Sequence, residues 1–152
     1  MKGRPGIGRI LDWTSDTKDP LCLIAGGAGV TPLMAMLRHR GKTSRRVPAQ
    51  LIYSSRSLAD VIYRDELDAM AGRDDMLRVT YALTREQPKN WQGHRGRIDK
   101  TLLARTCFPV SQHPAIYVCG PSSFVENVSA ILVELGFDDL SIKTERFGPT
   151  RG

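Results

Sequence analysis

Short apolar segments, each long enough for a β-strand, recur along most of the chain. Three of them, Leu21–Ala25, Ala49–Ser55 and Leu77–Thr84, are rich in Leu, Ile, Val and Tyr. Two more follow nearer the chain end, at Ala115–Gly120 and Ser141–Phe147. Segments of this length and composition predict five strands, the first of them fully buried.

Four helical segments are predicted between these strands from apolar residues spaced three or four positions apart. They cover about residues 32–40, 59–72, 99–105 and 122–136. Thr31 has the side chain of an N-cap, and Pro32 suits the first helical position. Ser123 and Glu126 have the spacing of a capping box, and Gly136 is expected to end the last helix.

The alternation of strands and helices indicates the α/β class. A strand followed by a helix and another strand predicts parallel pairing with crossover helices, and therefore a three-layer, Rossmann-like fold with helices on both faces of the sheet. The length of 152 residues fits one domain. We expect residues 20–152 to form it, after an N-terminal tail at residues 1–19.

Charge and cysteine content narrow the function classes. The net charge is +6, and the segment Arg38–Arg46 carries part of this positive excess. Such a basic segment suits binding of a nucleic acid, an acidic protein or a phosphorylated cofactor, and the alternative is a solvated loop without a ligand. No nucleic-acid motif accompanies these charges, so we expect no nucleic-acid partner. Three cysteines without paired spacing favour the reducing cytoplasm. No apolar run is long enough for a membrane span, and the three histidines have no metal-ligand spacing.

Three glycines stand where the first strand passes into the first helix, in the segment Gly26-Gly-Ala-Gly-Val-Thr-Pro32. A helix N-terminus offers unpaired N–H groups and the positive end of the helix dipole, which a phosphate uses only when no side chain blocks the backbone. Gly26, Gly27 and Gly29 remove that obstruction. The alternative is a tight strand–helix turn without a ligand, and the loop does not follow the Gly-x-Gly-x-x-Gly fingerprint.

Together with four later segments, this loop resembles the ferredoxin–NADP(+) reductase superfamily. The resemblance extends over nearly all of the chain from Leu21 onward. Each motif is weak by itself, but their joint occurrence in the family's order is specific. The matching segments are the nucleotide loop Gly26–Pro32, Tyr53–Leu67, Leu83–Ile98, the Cys-Gly-Pro loop within Tyr117–Val128, and Thr144–Thr150.

The resemblance implies a five-stranded parallel sheet in the order 3-2-1-4-5 and the NAD(P)-binding domain of a flavin-dependent oxidoreductase. In the family, hydride passes between the nicotinamide C4 and the N5 of a flavin, FAD or FMN, on a separate β-barrel. The family's flavin motif, Arg-x-Tyr followed by Ser or Thr, is absent from this sequence. We therefore expect an oxidoreductase domain that is incomplete without a flavin domain or partner chain, with residues 1–19 as a linker remnant. The alternative is a non-catalytic nucleotide-binding or interaction module left after loss of that domain.

The resemblance also implies residues for the reaction. Cys119 is the residue that faces the nicotinamide in the family's Cys-Gly-Pro loop, with Gly120 and Pro121 beside it. A small, polarizable thiol packs near the reacting carbon without blocking it, and a buried structural cysteine is the alternative. Glu145 and Phe147 lie near the expected flavin edge, where core packing is an equal explanation for Phe147.

Arginines near strand ends indicate which nicotinamide dinucleotide binds. An NAD-preferring sheet often has an acidic residue at the end of its second strand, whereas this chain has Ser55 and Arg56 there. Arg85 ends the third predicted strand, and Arg97 lies in a segment that resembles a phosphate-contacting one in bacterial members. Guanidinium groups suit a phosphate, so we expect NADP rather than NAD, with scattered surface arginines as the alternative.

Four further residues complete the predicted cofactor site. Val30, Thr31 and Pro32 belong to the glycine loop itself. Tyr63 lies in the second predicted helix, where its ring is placed either to stack on the adenine or to pack against Leu67.

Overall fold

In the described residues, six parallel strands form one sheet. The computed structural model describes Trp13, residues 18–43 and residues 46–147. The strands lie in the order β4-β3-β2-β1-β5-β6, and every neighbouring pair is parallel. Their bounds are β1 (Leu21–Gly26), β2 (Ala49–Ser55), β3 (Leu77–Leu83), β4 (His94–Arg95), β5 (Ala115–Gly120) and β6 (Ile142–Arg146).

The prediction of five strands in the order 3-2-1-4-5 is wrong in detail. The five predicted strands are present in that relative order, but β4 adds a sixth strand beside β3. β4 pairs only His94 with Ala82 and Arg95 with Leu83. A two-residue strand between turns has no room for an alternating apolar pattern, so the sequence could not reveal it.

Among the described residues, two helices pack against each face of the sheet, which confirms the α/β class. Helices α1 (Val30–Gly41) and α2 (Arg64–Arg73) lie on one face, and α3 (Lys100–Thr106) and α4 (Ser122–Glu134) lie on the other. Successive strand residues point to opposite faces. Leu23 of β1 therefore packs in the same core layer as α1, whereas Ile24 packs in the layer of α3 and α4.

The start of α1 differs from the prediction. The N-cap is Gly29, and Thr31 is an exposed residue of the first helical turn. A 3₁₀ turn at Gly27–Gly29 begins the helical path one turn earlier than the Thr-Pro signal indicates. Pro32 is thus the third helical residue, a position it tolerates because the first N–H groups of a helix have no intrahelical partner.

The starts of α2 and α4 also differ. α2 begins at Arg64 rather than near Ala59, because Tyr63 has a left-handed φ of +65° that a helix cannot include. The predicted capping box of α4 does not form: Pro121 is the N-cap. Glu126 instead accepts a hydrogen bond of 3.0 Å from Arg146, which ties α4 to the end of β6.

The basic segment at the end of α1 is partly structural. Arg40 is 2% exposed, and its guanidinium donates to the Val47 carbonyl and to the Asp74 carboxylate, both at 2.8 Å. Arg38 forms a two-point ion pair with Glu66. These contacts fasten α1 to α2 at the edge of the sheet opposite to the glycine loop.

Parts of three predicted features lie outside the described residues. They are most of the tail at 1–19, residues 44–45 of the basic segment, and Gly148–Thr150 of the last motif. Trp13 of the tail is described, and it packs in the core edge-on to His39, with ring centroids 5.9 Å apart. No described helix combines the length and apolarity needed to cross a bilayer. The described residues also contain no cluster of three His, Cys, Asp or Glu side chains that could hold a metal ion.

Candidate functional site

Two loops meet at the carboxyl ends of the central strands. β1 ends at Gly26 and leads through the Gly27–Gly29 turn into α1, while neighbouring β5 ends at Gly120 and leads through Pro121 into α4. The two loops lead to opposite faces of the sheet, because α1 and α4 lie on opposite faces, and open α/β sheets bind ligands where neighbouring connections diverge in this way. We call Gly26–Val30 together with Cys119–Pro121 the glycine junction.

Packing explains why three positions of the glycine junction lack a side chain. A Cβ on Gly29 would overlap the Cys119 carbonyl, so this residue fixes the two loops against each other. A Cβ on Gly26 or on Gly120 would lie 2.8 Å from the ring of Phe124. Sequence reasoning assigned Gly26 and Gly29 to ligand approach, or alternatively to a tight turn, and did not foresee this packing role.

Gly27 is the glycine that faces open space. Its φ is +55°, a conformation that side-chain-bearing residues rarely adopt, and a Cβ there would meet no atom within 4 Å. The residue is exposed at the start of the turn that leads into α1. The junction therefore offers bare backbone to solvent at Gly27, beside the N-terminus of a 12-residue helix.

The predicted reaction residues come together at the end of β5, on β6 and directly after β6. Cys119 is fully buried in the core layer of α1, and Glu145 is its register partner on β6. Burial, with a further contribution from the charge of Glu145, raises the pKa of the Cys119 thiol to about 12. The Cys119 thiol is therefore protonated at neutral pH. Phe147 is half-buried against the same core layer, and its N–H donates to the Gly120 carbonyl at 3.1 Å.

Three exposed arginines follow three neighbouring strands at the same edge, and we call Arg56, Arg85 and Arg97 the arginine rim. The Arg85 N–H donates to the Arg56 carbonyl at 3.0 Å, which holds the two loops side by side. β4, the strand absent from the prediction, brings Arg97 to this edge, since Arg97 follows it by two positions. None of the three guanidinium groups has a hydrogen bond or an ion pair with any described residue.

A cleft of about 250 Å³ lies between the arginine rim and α4. Arg97 lines it, whereas Arg56 and Arg85 do not. Phe124 separates this cleft from the glycine junction, because its ring also covers Gly26 and Gly120. Sequence reasoning missed four residues of this lining. The only signal for them was helical spacing after the Cys-Gly-Pro loop, because Phe124 follows Pro121 by about one turn and Asn127 follows Phe124 by another. The four are Ser54, Thr84, Phe124 and Asn127.

Ser55 and Tyr63 lie on the opposite face of the sheet from this cleft. Ser55 is buried and donates to the Ser57 carbonyl at 3.2 Å, which shapes the turn that follows β2. Tyr63 packs against the α1 core layer, and the Arg38 guanidinium carbon lies 5.1 Å from the centre of its ring. The structure thus gives Tyr63 a packing role and covers one face of its ring, while adenine stacking stays a prediction.

The glycine junction and the sheet order define a nucleotide-binding α/β domain, and comparison with known proteins identifies its class. Residues 23–130 match the oxidoreductase NAD-binding domain family. The chain belongs to this family, which confirms the predicted resemblance to the NAD-binding domains of ferredoxin reductase-like flavin oxidoreductases.

Relatives in several bacteria and a fungus share the fold and part of the sequence. The chain is 31% identical over 152 residues to the glycine betaine monooxygenase reductase subunit of Chromohalobacter salexigens, covering 99% of this chain and 40% of that protein. It is 33% identical over 133 residues to ferredoxin–NADP reductase B of Sorangium cellulosum, covering 84% and 54%. The flavohemoglobin of Malassezia yamatoensis, solved with bound FAD and heme, superposes with a TM-score of 0.75 at 33% identity, covering 91% and 34%. The chain therefore spans only part of the length of these relatives.

Proposed function

We propose that the chain binds NADP(H) at the carboxyl edge of its sheet and presents the nicotinamide to a flavin held on another domain or chain. The observation that carries this proposal is the glycine junction, in which two loops from neighbouring strands are locked together by backbone contact and leave Gly27 bare. The arginine rim at the ends of β2, β3 and β4 then adds positive charge on the same edge.

The pyrophosphate is assigned to the start of α1. Gly27 allows close approach of an oxygen to the backbone, and the helix that follows contributes the positive end of its dipole. Val30, Thr31 and Pro32 form the first helical turn, in which Thr31 is exposed, whereas Val30 is buried and its N–H bonds to carbonyls of the preceding 3₁₀ turn. This part of the site would treat NAD and NADP alike.

The 2′-phosphate is assigned to the arginine rim. The strand-end position that an acidic residue occupies in many NAD-specific sheets is Arg56 here. Its guanidinium has no partner among the described residues, so it is available to a phosphate as a charge-assisted donor. Arg85 is held next to it by the hydrogen bond between their main chains.

The nicotinamide is assigned to the end of β5. Bound NADPH supplies a hydride at its C4 atom, and Cys119 offers a neutral, polarizable surface there because its thiol is protonated. Cys119 is covered in the present structure, so contact with the ring requires a covering group to move. Phe147, a half-buried aromatic residue bonded to the neighbouring Gly120, is the candidate for that movement.

The acceptor of the hydride is proposed to lie outside these 152 residues. Names of relatives include a monooxygenase reductase subunit and reductases named for ferredoxin and cytochrome b5. We expect the acceptor flavin to be FAD or FMN and the final acceptor to be a separate protein, with the pair working in the cytoplasm. Because the names of the relatives specify both NADH and NADP, the choice of NADP rests on the arginine rim.

Thermal unfolding with each nucleotide tests the proposal. A ligand present at about one hundred times its dissociation constant adds about 2.7 kcal/mol to the free energy of unfolding, which raises the Tm of a chain of this size by about 5–10 °C. We expect such a shift with NADP at a lower concentration than with NAD. A folded sample whose Tm is unchanged by either nucleotide would overturn the proposal.

Flavin content and dye reduction test the second part. The 152-residue chain is expected to purify without visible flavin absorbance and to show negligible NADPH-dependent dye reduction, because the flavin motif is absent from its sequence. Addition of a separately expressed flavin domain from the same source should restore activity. Nucleotide binding without any restored activity would favour the non-catalytic module, and a yellow, active preparation of the chain alone would place the flavin site within it.

A further inference from the structure

Two cysteines distant in sequence meet in the core layer of α3 and α4. Cys22 is the second residue of β1, and Cys107 directly follows α3, 85 positions away. Their Sγ atoms lie 3.2 Å apart, about one ångström beyond the covalent S–S distance of about 2.05 Å. Cys119 lies on the opposite face of the sheet, in the other core layer.

Rigid elements hold both sulfur atoms in place. Cys22 lies in the central strand, between register partners Gln50 on β2 and Ile116 on β5. Cys107 is the C-cap of α3, and its N–H donates to the Leu103 carbonyl at 2.9 Å. The thiol contact is therefore a property of the folded core and not of a loop that can take many positions.

From this contact we propose that Cys22 and Cys107 form a reversible dithiol–disulfide pair that peroxide oxidises. No step of the proposed hydride transfer uses either residue, so the pair is a separate modification site. In the reduced state it is two thiols in hydrogen-bond contact, and in the oxidised state it is a covalent link between β1 and the end of α3.

The reaction proceeds in two balanced steps. The Cys107 thiolate attacks hydrogen peroxide, the O–O bond breaks, and Cys107 becomes a sulfenic acid while hydroxide leaves. The Cys22 sulfur then attacks the Cys107 sulfur, the S–S bond forms as the S–O bond breaks, and the departing hydroxide takes up the Cys22 proton and leaves as water. Overall, two thiols lose two electrons and two protons, and one peroxide is reduced to two waters.

The environments of the two sulfurs assign these roles. Cys107 is partly exposed whereas Cys22 is fully buried, so peroxide reaches Cys107 first. The hydrogen bond from Cys22, with a further contribution from the Phe108 main chain, lowers the pKa of Cys107, and the same contact together with burial raises the pKa of Cys22. The residue that peroxide can reach is thus also the one with the larger thiolate fraction.

The link would leave the glycine junction unblocked. Cys22 lies four positions before Gly26 along β1, a distance of about 13 Å at the rise of a strand. The disulfide would close a loop from residue 22 to residue 107, which restricts the unfolded chain and raises stability. We therefore expect a higher Tm after oxidation and an NADP dissociation constant within about twofold of that of the reduced chain.

Mass spectrometry after peroxide treatment tests the pair on the intact chain. The reduced protein is treated with hydrogen peroxide, quenched in acid, unfolded and alkylated. We expect a loss of two hydrogens and one alkylated cysteine in place of three, with peptides of Cys22 and Cys107 joined and Cys119 alkylated. Three alkylated cysteines, or a link that includes Cys119, would overturn the proposal.

A matched pair of variants tests the order of events. Cys107→Ser removes the partly exposed thiol. In this variant Cys22 should stay unoxidised by peroxide, because it is shielded by burial. Cys22→Ser removes the resolving thiol, so Cys107 should remain a sulfenic acid that dimedone traps. Unchanged oxidation of Cys22 in Cys107→Ser, or equal dimedone labelling of Cys107 in wild type and Cys22→Ser, would contradict the assignment. Should Cys22→Ser fail to fold, the Cys107→Ser result and the wild-type mass still decide it.

Discussion

The two parts of the carboxyl edge are built in different ways. In the glycine junction, main-chain atoms of two loops are in contact and leave no space for a side chain at Gly29. In the arginine rim, three exposed guanidinium groups have no partner among the described residues. A binding surface made of fixed main chain is the same for every ligand that has a pyrophosphate, whereas long, mobile side chains select among ligands by charge.

This difference leads to separate expectations for stability and for specificity. Substitutions in the glycine junction should disturb folding and affect NAD and NADP equally. Substitutions in the arginine rim should leave folding intact and affect NADP more. The predictions below test this contrast, from the largest effect to the smallest.

Gly29→Ala is expected to have the largest effect. The new Cβ would overlap the Cys119 carbonyl, and a main-chain atom cannot move aside cheaply. Overpacking of this kind costs on the order of 3 kcal/mol, and both nucleotides should lose affinity. Chemical denaturation measures the loss. The matched control is Gly72→Ala in α2, where a Cβ meets no atom within 4 Å and helix propensity predicts a gain of about 0.8–1 kcal/mol. Equal stability of the two variants would show that the loops are not locked together.

Arg56→Ala should change specificity and not stability. Loss of a hydrogen bond to a charged group costs about 1.5–3 kcal/mol, which raises the dissociation constant roughly tenfold to hundredfold. We expect this loss for NADP and almost none for NAD, measured by calorimetric titration. Arg78→Ala, an exposed arginine near the start of β3, controls for the change in net charge. Equal losses for both nucleotides would remove Arg56 from the 2′-phosphate site.

Gly27→Ala separates conformation from space within the glycine junction. A Cβ fits there, but the left-handed φ of +55° should lower the free energy of unfolding of the alanine variant by about 1–2 kcal/mol. The Tm should therefore fall less than in Gly29→Ala, and NAD and NADP should weaken by the same factor. A Tm loss as large as that of Gly29→Ala would mean that Gly27 also packs against a neighbour.

The contribution of the Cys119 thiol to stability should depend on pH only in alkali. Its folded pKa of about 12 lies above the ordinary value of 9.0, so the folded state keeps a proton that the unfolded state releases. The stabilisation is present below pH 9 and declines by about 1.4 kcal/mol per pH unit between those two pKa values. The difference in unfolding free energy between wild type and Cys119→Ser should be constant from pH 6 to pH 8 and shrink toward pH 10.5. A difference that does not change with pH would show that the thiol is not held neutral by its surroundings.

Much of the sheet was predictable because central parallel strands leave a strong apolar pattern. The bounds of β2 and β5 match their predicted ranges, because each of these strands has a neighbouring strand on both sides and consists mostly of buried residues. β4 was missed because two edge residues carry no such pattern. The helix starts at Val30 and Arg64 were missed because main-chain conformation at Gly27 and Tyr63 sets them, and a capping side chain does not.

The site was predictable in its location but not in its packing. Glycines after β1 and the Cys-Gly-Pro segment after β5 predicted that both loops lie at the carboxyl edge of the sheet, and the structure has them there. That Gly29 meets Cys119, and that Phe124 covers both Gly26 and Gly120, follows from distances between residues far apart in sequence. The contact between Cys22 and Cys107 was hidden for the same reason, because a separation of 85 positions carries no spacing signal.

Amide chemical shifts on NADP titration test the central claim most directly. The chain has a mass of 16.9 kDa, which suits two-dimensional ¹H–¹⁵N spectra. We predict that the largest shifts occur at Gly27, Thr31 and Gly120, with NADP but not NAD also moving Arg56 and Arg85. Amides at the opposite edge, such as Lys42 and Met76, should not change. Saturable shifts confined to that opposite edge, or none in the glycine junction, would contradict the account.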